Sequence, residues 1–267
     1  MPALPARTAG AGAAVLLLVG GCGADATAEP ATQIHIAAAS DLQFALDEVI
    51  RVAEQDRADD LSVSVTYGSS GTFVQQIANG APVDLYLSAD QDYAEQLIED
   101  GHADEDSLFR YAVGRMVVWA PEDSPADPDQ GLAGLTAESV DTVALANPEH
   151  APYGAAAVAA LEDAGVYEDV SDKLVRGENI AQAAEFVRSG NADVGVLALS
   201  LARAPEMRDE GSYAEVPLES FPRLNQAGVV LAEAPAEAEE LASYLQSSDG
   251  QAILADYGFY PPEWDGD

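Results

Sequence analysis

The sequence predicts an α/β fold, and three observations carry that prediction. Short apolar, β-branched runs alternate with amphipathic helical stretches from residue 33 onward, the pattern of mostly parallel sheets with helices on both faces. Four of the strand-to-helix turns are built from small or hydroxyl residues, each beside the open end of a helix. Hydrophobic residues make up 48% of the 267, enough for a sizeable core in one large or two small domains.

The first 21 residues are read as a signal peptide. Arg7 supplies a positive n-region, and residues 11–19 form an apolar run too short to span a bilayer. Val19-Gly20-Gly21 then leads into Cys22, the single cysteine of the chain, which excludes an intramolecular disulfide. A small-residue site directly before a cysteine resembles the lipobox of bacterial lipoproteins, which implies lipidation at Cys22. The competing reading is an ordinary secretory signal with an incidental cysteine. Residues 22–32 read as the lipidated cysteine and a flexible tether.

The folded part opens with a buried-type strand at residues 33–39, the turn Ser40-Asp41, and a helix with Leu42, Leu46, Val49, Ile50 and Ala53 on one face. A second strand at 61–66 runs into Gly68-Ser69-Ser70-Gly71 and a helix at 73–80. The third strand, 83–88, leads to a helix carrying Tyr93, Leu97 and Ile98. A strand at 115–121 is followed by a polar, Pro-rich loop at 122–131, a candidate boundary. The strand at 142–146 ends in Asn147-Pro148-Glu149-His150-Ala151-Pro152-Tyr153-Gly154 and an Ala-rich helix. Residues 173–176 form a short strand, and Gly177-Glu178-Asn179 opens the helix 180–189. Strands follow at 192–198, at 214–217 and at 226–232, the last expected to pair with 115–120. Helices at 235–246 and 250–257 close the chain.

The turns at Ser40, Ser70, Tyr153 and Ile180 share one chemistry: free N–H groups at a helix start, three of them with a hydroxyl beside them. Ligands of open α/β sheets bind at the carboxyl ends of the strands. Two of these turns come from each half of the chain, so two facing lobes would gather them around one cleft. A tetrahedral dianion could be held there by roughly seven or eight neutral donors in place of its water. The bland alternative is that each turn is only a helix cap.

Taken together and in order, Ala37-Ala38-Ala39-Ser40-Asp41-Leu42, Gly68-Ser69-Ser70-Gly71, the segment Gly80 to Asp90, the segment Asn147 to Gly154, Gly177-Glu178-Asn179-Ile180 and the tail Gly250 to Phe259 resemble the periplasmic molybdate-binding proteins of ABC transporters. The resemblance covers about residues 33–261. It implies a two-lobed type II periplasmic-binding-protein fold with a hinge of two crossing strands. Lobe I would be residues 33–113 with 228–267, and lobe II 114–227. It also implies an oxyanion held by Ser40, the Asp41 N–H, Ser70, Tyr153 and the Ile180 N–H, with Ser69 and Asn179 as further candidates. Many members carry an anion-binding tyrosine where this chain has Ala198, and the Tyr153 hydroxyl is expected to replace it. The implied ligand is molybdate or tungstate, with no cofactor. The implied protein is a monomeric receptor for ABC permease subunits, lipid-anchored on the outer face of the cytoplasmic membrane or periplasmic.

Composition and motif spacing weigh the alternatives. The formal net charge is −36, from 47 acidic and 11 basic residues; loss of the signal removes Arg7 and no acid, giving −37. Nucleic acid is therefore excluded as a partner. Such acidity reads as a surface adapted to high salt, or as a merely acidic secreted protein. A serine hydrolase is disfavoured: the Ser69-Ser70 turn lacks the nucleophile-elbow spacing, and His35, His102 and His150 are poorly placed as bases. Glu149-His150 is one acid–imidazole pair without a second metal-ligand cluster. The open alternative is another ligand, such as sulfate, phosphate or ferric iron; the last usually needs tyrosine pairs with carboxylates.

Overall fold

The structure, a computed structural model, describes residues 32–55 and 61–263. The expected signal peptide, Cys22 and the tether up to residue 31 lie outside the described residues. In chain order the elements are β1 (Thr32–Ala39), α1 (Gln43–Gln55), β2 (Leu61–Gly68), α2 (Ser70–Ala78), β3 (Leu85–Ser88), α3 (Gln91–Glu99), β4 (Phe109–Gly114) and β5 (Met116–Pro121). Then come β6 (Val143–Ala146), α4 (Pro152–Asp163), α5 (Tyr167–Val170), β7 (Leu174–Gly177), α6 (Ile180–Arg188), β8 (Val194–Ala198) and α7 (Leu199–Ala202). The chain closes with β9 (Gly211–Glu215), β10 (Leu224–Val230), α8 (Ala236–Gln246) and α9 (Ser248–Asp256).

These strands form two five-stranded sheets, in the orders β2-β1-β3-β10-β4 and β7-β6-β8-β5-β9. Each has the same plan. Three parallel strands arise from consecutive βα units, and a fourth strand joins them antiparallel. That fourth strand is the one arriving from the other lobe. The chain leaves the first sheet at Gly114-Arg115, between β4 and β5, and returns through residues 217–223 into β10. Both lobes are thus built on one layout, with the crossings side by side in the fold.

Side-chain alternation explains the layers. Along β1, Ile34, Ile36 and Ala38 pack into a core with Leu42, Leu46 and Val49 of the first helical segment and Leu241 and Leu245 of α8. Ala37, facing the other way, joins Phe73, Val74 and Ile77 of α2 and Leu97 of α3. A strand buried on both faces must be apolar at every position, which is why residues 36–39 read as a continuous apolar run. The second sheet has its own core, with Trp119, Val143, Leu145, Val196 and Leu197 buried between α4 and α6.

The structure corrects the reading of the sequence in three places. First, β10 pairs with β3 and β4, not with residues 115–120. The partners of residues 116–121 are β8 and β9, and β10 enters the first sheet at Leu224, so the expected boundary at 227/228 falls inside a strand. Second, β4 was not anticipated: its buried Phe109 and Tyr111 flank an exposed Arg110, a short alternation easily read as loop. Third, the Pro-rich stretch is not all loop: Pro128–Thr136 forms 3-10 turns packed on β5 and β9. Among the described residues, no helix is long and apolar enough to cross a membrane.

Candidate functional site

The parallel strands end where the two sheets face each other, and the turns that follow β1, β2, β6 and β7 line one cavity there. The cavity itself holds about 10 Å3, room for about one water-sized group, and is lined by Ala39, Ser40, Asp41, Gly68, Ser69, Ser70, Ala89, Ala151, Pro152, Tyr153, Asn179 and Ile180. All seven residues expected at a ligand site are therefore brought together, although Ser40 and Ile180 stand 140 positions apart. Asp41 is the one lining residue with an ionisable acid, and no lysine, arginine or histidine lines the wall.

The two serines are wired alike. The Ser70 Oγ accepts the Ala89 N–H at 3.1 Å, and the Ser40 Oγ accepts the Ala181 N–H at 3.3 Å. Each oxygen is occupied as an acceptor, which leaves its single hydroxyl hydrogen as the group to offer. Both side chains are buried. The Tyr86 hydroxyl donates to the Ser70 carbonyl at 2.9 Å and holds that turn in place. Ser69 differs: its hydroxyl donates to the His150 carbonyl, so its hydrogen is already committed.

The helices contribute their first-turn N–H groups. Neither α2 nor α4 has a side-chain cap at its start, whereas α3, α6 and α9 do. Ser70 opens α2, Pro152 opens α4 with Tyr153 next, and Ile180 opens α6. N–H groups at these positions have no partner within their own helix. Asn179 caps α6 at Gln182, two residues beyond Ile180, so the cap leaves the first N–H of the helix uncovered.

The Tyr153 hydroxyl, expected as an anion donor, stands at the cavity wall, where its oxygen accepts from the Gln226 amide at 3.3 Å. Like the two serines it is occupied as an acceptor, which leaves its one hydrogen to offer. Ala198, the position that motivated the expectation, ends β8 fully buried and does not line the cavity.

Asp41 turns its side chain away to β10, where the Gln226 amide donates to it at 2.6 Å. Its main-chain carbonyl accepts from Ser200 at 2.8 Å. Burial pushes its pKa from 3.8 up to about 6, against the opposing pull of the hydrogen bond from Gln226. A carboxyl beside this cavity is thus shifted towards its neutral form. Gln226, Ser200 and His150 were missed as site residues in the sequence. Their partners at the cavity lie 73 or more positions away and no local pattern marks them. No cluster of three His, Cys, Asp or Glu that could hold a metal ion occurs among the described residues.

Two facing sheets with helix starts converging on a small, buried, hydroxyl- and amide-lined cavity define a class: two-lobed proteins that enclose a small solute at their hinge. Comparison with known proteins agrees. The family described as bacterial extracellular solute-binding protein matches residues 34–260, and the chain belongs to that family. The molybdate-binding protein ModA of Azotobacter vinelandii is 35% identical over 247 residues, covering 91% of this chain and 96% of its own. The ModA of Rhodobacter capsulatus is 37% identical over 200 residues, 74% of this chain and 77% of its own. The solved structure of the Azotobacter vinelandii periplasmic molybdate-binding protein superposes with a TM-score of 0.80 at 26% identity, over 86% of this chain and all of that one. These relatives are binding proteins, not enzymes.

Proposed function

We propose that this protein captures molybdate, and tungstate with it, outside the cytoplasmic membrane and delivers it to an ABC importer. The observation that carries the reading is the cavity wall: two serine hydroxyls and the first N–H groups of α2, α4 and α6, with no basic side chain. A bare tetrahedral dianion accepts hydrogen bonds at every oxygen and offers none, so a wall of donors matches it. The relatives named for molybdate binding extend over most of the chain, in line with this ligand.

The working donor set is the Ser40 and Ser70 hydroxyls with the N–H groups of Asp41, Ser70, Tyr153 and Ile180. Sulfate, the alternative, has the same charge and shape, and cavity size must separate the two. Monohydrogen phosphate carries a hydrogen that needs an acceptor, and the serine oxygens are already used. Capture closes the lobes, and the closed form is what the permease receives. The Cys22 lipid anchor would keep the receptor at the membrane face.

A thermal-shift panel tests the ligand. At about 100 times its dissociation constant a ligand adds roughly 2.7 kcal/mol of stability. Molybdate and tungstate are expected to raise Tm at micromolar concentrations, with sulfate and phosphate inactive. Stabilisation by sulfate alone would replace molybdate with sulfate as the ligand.

A further inference from the structure

Two of the hydrogen-bonding residues at the cavity give nothing to a bound anion, and they bond to each other across the cleft. Ser69 belongs to the turn after β2 in the first lobe. His150 belongs to the loop after β6 in the second lobe and does not line the cavity. The Ser69 hydroxyl donates to the His150 carbonyl, and the Gly71 N–H donates to the same carbonyl at 3.0 Å. The His150 Nδ1 lies 3.0 Å from the Ser69 Oγ.

The surrounding bonds fix the direction of that last contact. The Asn147 Oδ1 accepts the Glu149 N–H at 3.2 Å, which orients the amide and leaves its Nδ2 facing the His150 Nε2 at 3.0 Å. Nε2 is therefore an acceptor, and the ring hydrogen sits on Nδ1. Since the Ser69 hydrogen is spent on the carbonyl, Nδ1–H donates to the Ser69 oxygen. Each of these groups is satisfied in that arrangement, and the exposed Glu178 carboxylate, 3.6 Å from Nε2, lies beyond hydrogen-bond distance. Gly71 makes the approach possible: a Cβ there would stand 2.9 Å from the His150 carbonyl oxygen.

We propose that His150 is a closure latch, a positioning residue that locks the Ser69-Ser70-Gly71 turn against the opposite lobe and so sets how long a bound anion stays. The proposal rests on reading the cavity as the anion site. Other bonds between the lobes, Ala181 to Ser40, Ser200 to Asp41 and Gln226 to Tyr153, each involve a residue that lines the cavity. The Ser69–His150 pair is set apart from them, because breaking it removes no anion donor. Its loss should leave encounter unchanged and speed escape.

Stopped-flow fluorescence with molybdate and the full protein tests this. His150→Ala is expected to raise koff roughly tenfold, the effect of losing one or two ordinary hydrogen bonds, with kon within about threefold of wild type. The Tm without ligand should be unchanged. His150→Asn should recover most of the loss, because its amide nitrogen is as many bonds from Cα as Nδ1; His150→Gln should not. Ser69→Ala should lose at least as much as His150→Ala, because it also gives up the bond to the main-chain carbonyl of residue 150, and the double variant should lose no more than Ser69→Ala. Wild-type koff in His150→Ala, equal rescue by Asn and Gln, or additive losses would each overturn the latch. If wild type binds neither molybdate nor tungstate, the anion reading falls. The latch is then decided by small-angle scattering without ligand: a larger radius of gyration for His150→Ala sustains it, and an unchanged radius overturns it.

Discussion

Hydroxyl hydrogens decide which residues of this site can bind an anion. Ser40, Ser70 and Tyr153 have their oxygens occupied by N–H groups, whereas Ser69 has its hydrogen occupied. Ser40→Ala and Ser70→Ala are each expected to weaken molybdate binding by about 10- to 100-fold in calorimetry, the range for one charge-assisted bond. Tyr153→Phe should also weaken binding by roughly tenfold if its free hydroxyl hydrogen reaches the anion, and an unchanged affinity would leave the main-chain N–H as the contribution of that turn. Asp41 gives a pH signature. Its folded pKa, about 6, lies above the unfolded value of 3.8, so at pH 7 its ionised form costs the folded state stability. That cost disappears as pH falls through about 6, and below 3.8 the two states are protonated alike. Asp41→Asn should therefore be more stable than wild type at pH 7, by up to about 3 kcal/mol, with the difference shrinking towards pH 5. Thermal melts of both proteins from pH 5 to 8 check the slope; parallel curves would refute the assignment.

At the scale of the element, the helices divide by the way they begin. Three of the described helices satisfy a first-turn N–H group with a side chain, α3 with Asp90, α6 with Asn179 and α9 with Ser247. The helices α2 and α4 have no side-chain cap, as α5, α7 and α8 have none, but α2 and α4 begin at the cavity wall. An uncapped end forgoes about 1 kcal/mol of stability unless something else fills it, and a bound anion is suited to do so. The approach of α2 to the opposite lobe is equally specific. Gly71 lies in its first turn, where a methyl group would meet the Tyr93 hydroxyl at 2.8 Å as well as the His150 carbonyl. Gly71→Ala should hold the cleft ajar and weaken molybdate binding more than tenfold, while the unliganded melting temperature falls by only a few degrees. Wild-type affinity would show that the turn can yield.

Over the whole molecule, the two sheets repeat one layout and exchange a strand at each crossing. β5 starts directly after the first crossing, and the crossing is braced there. Arg115 reaches Glu215 at 2.7 Å and lies over the Tyr260 ring at 5.2 Å, while Tyr260 bonds to the Val113 main chain. The net charge of −36 acts at this scale too. Carboxylates spread over the surface repel one another in dilute buffer, where the screening length is about 10 Å. At 1 M salt that length is about 3 Å. If the acidity is an adaptation to salt, Tm should climb as sodium chloride rises from 0.1 to 2 M, and molybdate affinity should change far less, because the site's donors act at contact distance. A flat Tm would leave the surface merely acidic.

The sequence by itself determined the alternation of strands and helices, the four Gly/Ser/Pro-marked turns, and through them the residues that line the cavity. These are local properties: periodicity sets the element, and small or hydroxyl residues mark where a strand hands over to a helix. Only the tertiary structure decided where β10 pairs, because an apolar strand fits either sheet and long-range topology selects its neighbours. It also decided the use of each hydroxyl. The Tyr153 hydroxyl accepts from Gln226, 73 positions away, a partner no local pattern marks. His150 looked like a bystander and proved to bridge the cleft to Ser69, 81 positions away. A side chain's type says which bonds it can make, and the packed fold determines which of them are already taken.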